Sequence, residues 1–115
     1  MKQAGQIVLV PFPFTNLSGT KLRPVLMLRR TSARFDDWLV CMVSSQLHQA
    51  EPALDEVIST SDSDFSATGL KTSSVLRLSR LAVVDGRTIA GSLGTISPAR
   101  LASIRQKLSA WIAAQ

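Results

Sequence analysis

The sequence predicts a small, strongly bent antiparallel β-sheet or barrel that ends in one α-helix. Three observations indicate this fold: short runs rich in β-favouring residues, turn-forming residues between them, and a change to helical periodicity near the C-terminus. The chain has 115 residues, of which 45% are hydrophobic and 18% are charged. This length and composition suit one compact domain over residues 1–115, and they argue against two domains or a disordered chain.

The first half of the chain contains three predicted strands. A β-favouring run covers residues 6–10 and ends where two prolines and two phenylalanines follow. A polar, glycine-containing loop over 15–21 leads to a second strand at 24–28. The third strand, at 38–43, is almost continuously apolar, so we expect it in the centre of the sheet.

The charges are unevenly distributed along the chain. The net charge is +5, yet residues 51–64 contain five acidic and no basic side chains. They belong to a polar stretch, 46–68, where we expect a long loop with one short strand near 56–59. A basic body with one acidic segment could bind a polyanion, but charge alone favours this no more than a solvated surface.

The second half predicts more strands and then the helix. Two strands are expected at 74–78 and 81–84, and the following Asp-Gly-Arg is typical of a turn into a last strand at 88–90. Ser97 is expected to cap the helix, with Pro98 at its first position. The apolar face of this helix recurs at three- and four-residue steps through Leu101, Ile104, Leu108, Trp111 and Ile112.

Few residues are candidates for acid–base or metal chemistry. His48 is the only imidazole and therefore a candidate acid or base, although a lone histidine beside a loop is more often structural. Cys41 lies in an apolar run with no basic neighbour, so we expect a buried, inert thiol. A single cysteine excludes an internal disulfide and a multi-thiolate metal site. Asp62 and Asp64 lack the glycine and distal glutamate of a calcium loop, so we expect no metal and no cofactor.

The strongest local feature is the segment from Gly19 to Pro24. Its turn brings Lys21 and Arg23 to the start of a strand, where an arginine can form paired hydrogen bonds to a phosphate. From spacing alone, two incidental cations on an exposed loop are slightly favoured. Beyond the third strand, Val43-Ser44-Ser45-Gln46 places two hydroxyls and an amide at a strand end, a position that suits site residues but is also common in loops.

These stretches closely resemble the PemK/MazF family of bacterial toxins. The most specific agreement lies in residues 5–17 and 21–28, and it continues through 43–46, 69–75 and 93–97. The resemblance covers nearly the whole chain. It implies a compact SH3-like barrel, a homodimer, and a metal-independent, sequence-specific endoribonuclease acting on single-stranded RNA.

The resemblance also implies roles for individual residues. Arg23 matches the catalytic arginine of the family, and Ser44 stands where the family commonly has a catalytic threonine. This departure keeps the hydroxyl but loses a methyl group that restricts the rotamers. Gln46 matches a position near the RNA, and Thr20 and Lys21 belong to a loop that covers the substrate in the family.

The implied reaction uses the RNA's own 2′-hydroxyl as the nucleophile. A guanidinium and a hydroxyl directed at the non-bridging phosphate oxygens would stabilise the transition state without a metal or cofactor. The products would carry 2′,3′-cyclic phosphate and 5′-hydroxyl ends. Arginine is a poor general base because its pKa exceeds ~12, so His48, Ser44 and water all stay open as proton carriers.

The resemblance implies two protein partners, a second copy of the chain and a cognate antitoxin. Such an antitoxin is expected to provide an acidic, apolar-studded segment that occludes the groove around Arg23. The chain has no apolar run of ~20 residues and no signal-peptide layout, so we expect a cytoplasmic protein with no membrane partner. Two alternatives remain: a non-catalytic family member that binds a protein target such as a topoisomerase, and a module that binds nucleic acid without cleaving it.

Overall fold

The described part of the chain forms one antiparallel sheet and a C-terminal helix. The computed structural model describes residues 2–12 and 21–114. The helix, α1, spans Pro98–Ala113, and short 3₁₀ helices cover Leu47–Gln49, Ser66–Thr68 and Gly86–Thr88. The strands are β1 (Gln6–Phe12), β2 (Lys21–Arg30), β3 (Asp37–Ser44), β4 (Glu56–Ile58), β5 (Ser74–Asp85) and β6 (Gly91–Thr95), in the sheet order β4-β5-β3-β2-β1-β6. The predicted mainly-β fold with a terminal helix is confirmed.

The sheet buries side chains on both of its faces. On one face, a cluster that includes Leu26 and Cys41 packs against Ile104 and Leu108 of α1. On the other face, Val25 belongs to a second buried cluster with residues of β1 and β3. Because neighbouring strand residues point to opposite faces, a strand buried on both sides has an almost continuously apolar sequence. This is why β3 reads as an apolar run, and its interior position in the sheet confirms the prediction.

The sheet is curled into a half-barrel, because segments near its two edges approach each other. The 3₁₀ helix Ser66–Thr68 follows the edge strand β4 and packs on the opposite edge strand, β6. A Cβ atom on Gly94 would collide with the carbonyl oxygen of Ala67. A Cβ atom on Gly69, whose φ is +72°, would likewise collide with the backbone of Leu93. Closure of the barrel therefore requires glycine at both positions.

The two strands predicted within 74–84 form a single strand, so this expectation was wrong. Strand β5 pairs with β3 on both sides of an interruption, because Met42 lies opposite Arg77 whereas Cys41 lies opposite Leu81. The extra residues of β5 form a bulge. In the sequence pattern, this bulge looks like a break between two strands.

The position of the last strand was also predicted incorrectly. Residues 88–90, expected to be extended, partly belong to the 3₁₀ helix Gly86–Thr88. This helix forms because the Asp85 side chain accepts a hydrogen bond from the backbone N–H of Arg87. Strand β6 therefore begins only at Gly91.

Helix α1 begins where the sequence predicted. The Ser97 hydroxyl accepts a hydrogen bond from the backbone N–H of Arg100, and Pro98 occupies the first turn. Only the first part of the predicted apolar face is buried, because Trp111 is 53% and Ile112 65% exposed. The last turn of α1 lies beside an open cleft instead of on the sheet. No helix in the described ranges is both long and apolar enough to cross a membrane.

Arg100 attaches the acidic segment 51–64 to α1. Its guanidinium contacts Glu56 at 2.8 Å and Asp62 at 3.1 Å, and it binds both oxygens of Asp64 at 2.8 and 3.0 Å. The Arg100 side chain is only 17% exposed. Paired hydrogen bonds between arginine and a carboxylate are the geometry in which such ion pairs are strongest. Three carboxylates of the acidic segment are therefore paired with Arg100 inside the fold.

Asp55 connects the same segment to β5. Its buried carboxylate accepts hydrogen bonds from the backbone N–H groups of Glu51 and Ser79 at 2.9 and 2.8 Å. It also accepts one from the Ser79 hydroxyl at 2.9 Å. Since Ser79 lies in the β5 bulge, this carboxylate fixes the shape of the bulge.

The Arg100–Asp64 pair predicts a loss of stability in acid. Hydrogen bonding to Arg100 lowers the pKa of Asp64 to about 2. In the unfolded chain this carboxyl titrates near ~4, so its stabilising effect is complete above that pH and is lost as the pH falls towards the folded value. The free energy of unfolding, measured by urea denaturation, should fall more steeply between these pH values for the wild type than for Asp64→Asn. Parallel falls for the two proteins would contradict this role of the pair.

Candidate active site

The start of β2 and the end of β3 meet the middle of β5 around an open cleft of about 300 Å³. Val25 pairs with Met42, so extending the register by two residues places Arg23 opposite Ser44. Met42 also pairs with Arg77 of β5. Side chains alternate along a strand, so Arg23, Ser44 and Arg77 share one face of the sheet. The lining consists of Arg23, Pro24, Met42, Val43, Ser44, Gln46, Gln49, Arg77 and Arg80.

Arg23 reaches this cleft from the second strand. It pairs with Val10 of β1 through the backbone, while its side chain is exposed. Pro24 follows it and restricts the backbone at that point. No carboxylate within residues 2–12 and 21–114 forms an ion pair with Arg23. Within the described residues, the Arg23 guanidinium therefore has no carboxylate partner and can bind an anion.

The Ser44 hydroxyl is held by two hydrogen bonds. It donates to Oε1 of Gln49 over 3.0 Å and accepts from the backbone N–H of Gln46 over 3.1 Å. The 3₁₀ helix Leu47–Gln49 places Gln49 here, immediately after the end of β3. To donate to a bound phosphate, the hydroxyl would therefore have to exchange its bond to Gln49 for one to the phosphate.

Arg77 is a cleft residue that the sequence analysis did not identify. Its Nη1 lies 3.5 Å from Oε1 of Gln49, and its Nε lies 3.8 Å from Oδ2 of Asp55. That Nε is buried and has no hydrogen-bond partner among the described residues. The one sequence signal was a charged residue inside the otherwise apolar alternation of 74–78, opposite the end of β3.

The cleft has a positive electrostatic character. Arg23, Arg77 and Arg80 line it, and its described lining contains no acidic side chain. Asp55 lies close to Arg77, but its carboxylate is buried and accepts hydrogen bonds from backbone groups. A concave site with several cations and no exposed anion attracts phosphate groups.

The other predicted site residues are distributed differently. Gln46 lines the cleft, whereas Lys21 is exposed at the start of β2 and is not part of the lining. Thr20, with the rest of the loop at 15–20, lies outside the described residues. His48 is exposed on the 3₁₀ helix and does not line the cleft, although its neighbour Gln49 does.

Cys41 is buried, as the sequence predicted. Its side chain is 0% exposed, and burial raises the pKa of the thiol far above its ordinary value. A thiol that stays protonated is a poor nucleophile, so Cys41 acts as a small apolar residue of the core.

Comparison with known proteins identifies the family. The family model described as "PemK-like, MazF-like toxin of type II toxin-antitoxin system" matches residues 3–112. The fold is similar to a solved structure described as an endoribonuclease in complex with its cognate antitoxin from Mycobacterial species. That similarity has a TM-score of 0.65 at 14% sequence identity and covers 100% of this chain and 98% of the other. A search of curated proteins gave no significant match. Because the family model covers nearly the whole chain, this protein belongs to the PemK-like, MazF-like toxins of type II toxin-antitoxin systems.

Proposed function

We propose that the protein is an endoribonuclease toxin that cleaves single-stranded RNA, including mRNA, at specific sequences. The observation that carries this proposal is that Arg23 and Ser44 line one cleft with two further arginines and no acid in its described lining. Membership of the toxin family supports it. The family model matches residues 3–112, and this range suits a single toxin domain over residues 1–115. The solved structure of similar fold is itself described as an endoribonuclease.

In this proposal the arginines bind the scissile phosphate. RNA supplies its own nucleophile, so the protein has to align the 2′-hydroxyl with the phosphorus and stabilise the negative charge of the crowded intermediate. Arg23 and Arg77 lie on one face, on the two strands that flank β3, and can contact the non-bridging oxygens from opposite sides of Ser44. The Ser44 hydroxyl adds a neutral donor, and Gln46 contributes an amide beside it.

The chemistry requires two proton transfers. The 2′-hydroxyl loses a proton as its oxygen bonds to phosphorus, and the 5′-oxygen gains one as its bond to phosphorus breaks. The products are a 2′,3′-cyclic phosphate and a 5′-hydroxyl. The arginines stay protonated, so they act as electrostatic clamps and not as bases. His48 lies outside the described lining, so in this proposal the proton carriers are water in the open cleft or the Ser44 hydroxyl.

Two protein partners belong to the proposal. We propose a homodimer, supported by the exposed apolar side chains of Leu22, Leu81 and Val83, which are 51%, 40% and 58% exposed. We also propose a cognate antitoxin that covers the cleft containing Arg23. The similar solved structure was obtained with its own antitoxin bound. Such a toxin acts in the cytoplasm, where its mRNA substrate is found.

Replacing Arg23 with alanine should abolish cleavage while preserving the fold. Arg23 is exposed and lies at the end of a strand, so its side chain contributes little to the core. Removing one transition-state donor typically costs about 10²-fold or more in rate. Purified wild type, Arg23→Ala and Arg34→Ala should be incubated with a long single-stranded RNA in EDTA, and the fragments separated by size.

Wild type and the Arg34→Ala control should give the same discrete fragments, and Arg23→Ala should give none. Arg34 is a matched control because it is exposed and lies outside the cleft. Cleavage by a folded Arg23→Ala protein at the wild-type rate would contradict the catalytic role proposed for Arg23. If folded wild type leaves RNA intact, the non-catalytic alternatives, a binder of a protein target or of nucleic acid, would replace the enzyme proposal.

Substitutions at Ser44 test the role of its hydroxyl. Ser44→Ala removes the hydroxyl that, in this proposal, exchanges its bond to Gln49 for one to the phosphate, and it should slow cleavage by about 10–10³-fold. Ser44→Thr keeps the hydroxyl with fewer rotamers and should retain cleavage. Ser45→Ala, a neighbouring exposed hydroxyl outside the lining, serves as the control. Equal rates for Ser44→Ala and Ser45→Ala would show that the Ser44 hydroxyl takes no part.

A further inference from the structure

Arg77 lines the candidate active site, and beside it lies a carboxylate that does not line the cleft. Strand β4 begins at Glu56, which pairs with Leu76 of β5. Extending this antiparallel register by one residue places Asp55 opposite Arg77, and directly opposite residues project to the same face of a sheet. Because β5 separates β4 from β3, the carboxylate approaches Arg77 from the side away from Ser44.

The Asp55 carboxylate is enclosed by the protein and held in one orientation. Its side chain is 0% exposed. It accepts hydrogen bonds from the backbone N–H of Glu51, the backbone N–H of Ser79 and the Ser79 hydroxyl, at 2.9, 2.8 and 2.9 Å. All three partners are donors, which is the arrangement that suits an ionised carboxylate. A fixed negative charge, shielded from solvent, therefore lies behind Arg77.

The guanidinium of Arg77 has an inner and an outer end. Its Nε is buried and has no hydrogen-bond partner among the described residues. That Nε lies 3.8 Å from Oδ2 of Asp55, which is too long for a hydrogen bond but is within the range of an ion pair. At the outer end, Nη1 lies 3.5 Å from Oε1 of Gln49, which lines the cleft. The guanidinium is thus oriented with Nε towards the buried acid and Nη1 towards the cleft.

The burial of Asp55 separates its role from that of a general acid or base. A general base has to come within ~3 Å of the proton that it removes, or reach it through one water molecule. Asp55 lies outside the lining of the cleft, and its oxygens already accept three hydrogen bonds. An effect of this carboxylate on cleavage therefore has to pass through a residue that it contacts, and Arg77 is such a contact that lines the cleft.

We propose that Asp55 is a positioning residue for RNA cleavage, which holds Arg77 so that its outer N–H groups meet the scissile phosphate. A buried charge is weakly screened, so it attracts the guanidinium more strongly than a solvated carboxylate at the same distance would. Arginine binds phosphate best through paired hydrogen bonds in one plane, so a small displacement weakens the stabilisation of the transition state. This inference rests on the proposed function, because it requires that the cleft cleaves RNA.

A double-mutant cycle on wild type, Asp55→Asn, Arg77→Ala and the double variant tests this role. Asparagine keeps the size of the side chain and removes its charge. Cleavage of a long single-stranded RNA is followed in EDTA under single-turnover conditions, over a range of protein concentrations. Asp55→Asn should lower the rate at saturating protein by about 10–10²-fold, with a much smaller change in the half-saturating concentration. In the Arg77→Ala background, the same substitution should have almost no further effect.

Ser79→Ala is the matched control for the shape of the β5 bulge. This change removes one hydrogen bond that Asp55 accepts, but it leaves the charge beside Arg77 in place. Ser79 also lies outside the described lining of the cleft. Ser79→Ala should lower the free energy of unfolding, yet it should reduce the saturating rate much less than Asp55→Asn does. Equal losses of rate would mean that the shape of the bulge, and not the charge, controls cleavage.

NMR of the Arg77 side chain tests the positioning without any cleavage. In isotope-labelled protein, the Nε–H signal of Arg77 is assigned by its absence from Arg77→Lys. Its heteronuclear nuclear Overhauser effect should match that of the rigid backbone, whereas the exposed Arg23 should give a value typical of a mobile side chain. In Asp55→Asn the value for Arg77 should fall towards that of Arg23. If Asp55→Asn does not fold, the wild-type spectrum decides, because a mobile Arg77 contradicts the proposal by itself.

Three results would overturn the proposal. The first is an equal loss of rate from Asp55→Asn in the wild-type and Arg77→Ala backgrounds, which would assign Asp55 to the fold alone. The second is a wild-type saturating rate in a folded Asp55→Asn protein, and the third is a mobile Arg77 Nε in the wild type. Failure of the proposed function gives a different result, since folded wild type would then leave the RNA intact. RNA cleavage without coupling between Asp55 and Arg77 would overturn only the positioning role.

Discussion

The carboxylate of Asp55 is buried beneath β5 and accepts hydrogen bonds from both Glu51 and Ser79, which belong to distant parts of the chain. Those bonds hold the β5 bulge in one conformation, and the bulge sets the register that places Arg77 opposite Met42. The same carboxylate lies 3.8 Å from Nε of Arg77. A buried acid thus determines where a cation enters the candidate active site, although it does not line the cleft itself.

The distribution of charge follows from the way the acidic segment folds back on the protein. Asp62, Asp64 and Glu56 surround Arg100, and Asp55 is buried under β5. Glu56, Asp62 and Asp64 are therefore paired with Arg100 and not with the arginines of the candidate active site, where Asp55 forms an ion pair with Arg77. The described lining of the candidate active site contains Arg23, Arg77 and Arg80 and no acidic side chain, which suits a phosphate.

Local sequence patterns predicted the features that depend on neighbouring residues. The apolar run of β3, the Ser97 cap and Pro98 at the start of α1 all act within a few residues of themselves, and all were confirmed. The division of 74–84 and the position of β6 were predicted wrongly, because a bulge fixed by Asp55 and a 3₁₀ turn capped by Asp85 depend on specific side-chain contacts.

The candidate site was only partly visible in the sequence for the same reason. The start of β2 and the end of β3 drew attention to Arg23, Ser44 and Gln46, and the sheet brings all three into one cleft. Arg77 and Gln49 were missed, because their places follow from strand register and from a short 3₁₀ helix. Contacts between residues far apart in sequence are not encoded in the local period of either segment.

The most direct test of RNA cleavage by 2′-hydroxyl attack is a substrate with one oxygen removed. An RNA cut by the wild-type protein would be resynthesised with a single 2′-deoxy nucleotide on the 5′ side of the mapped cut. We predict that cleavage at that bond disappears while other cut sites in the same molecule are cleaved normally. Unchanged cleavage at the deoxy position would show that the nucleophile is not the 2′-hydroxyl and would contradict the mechanism assigned to Arg23 and Ser44.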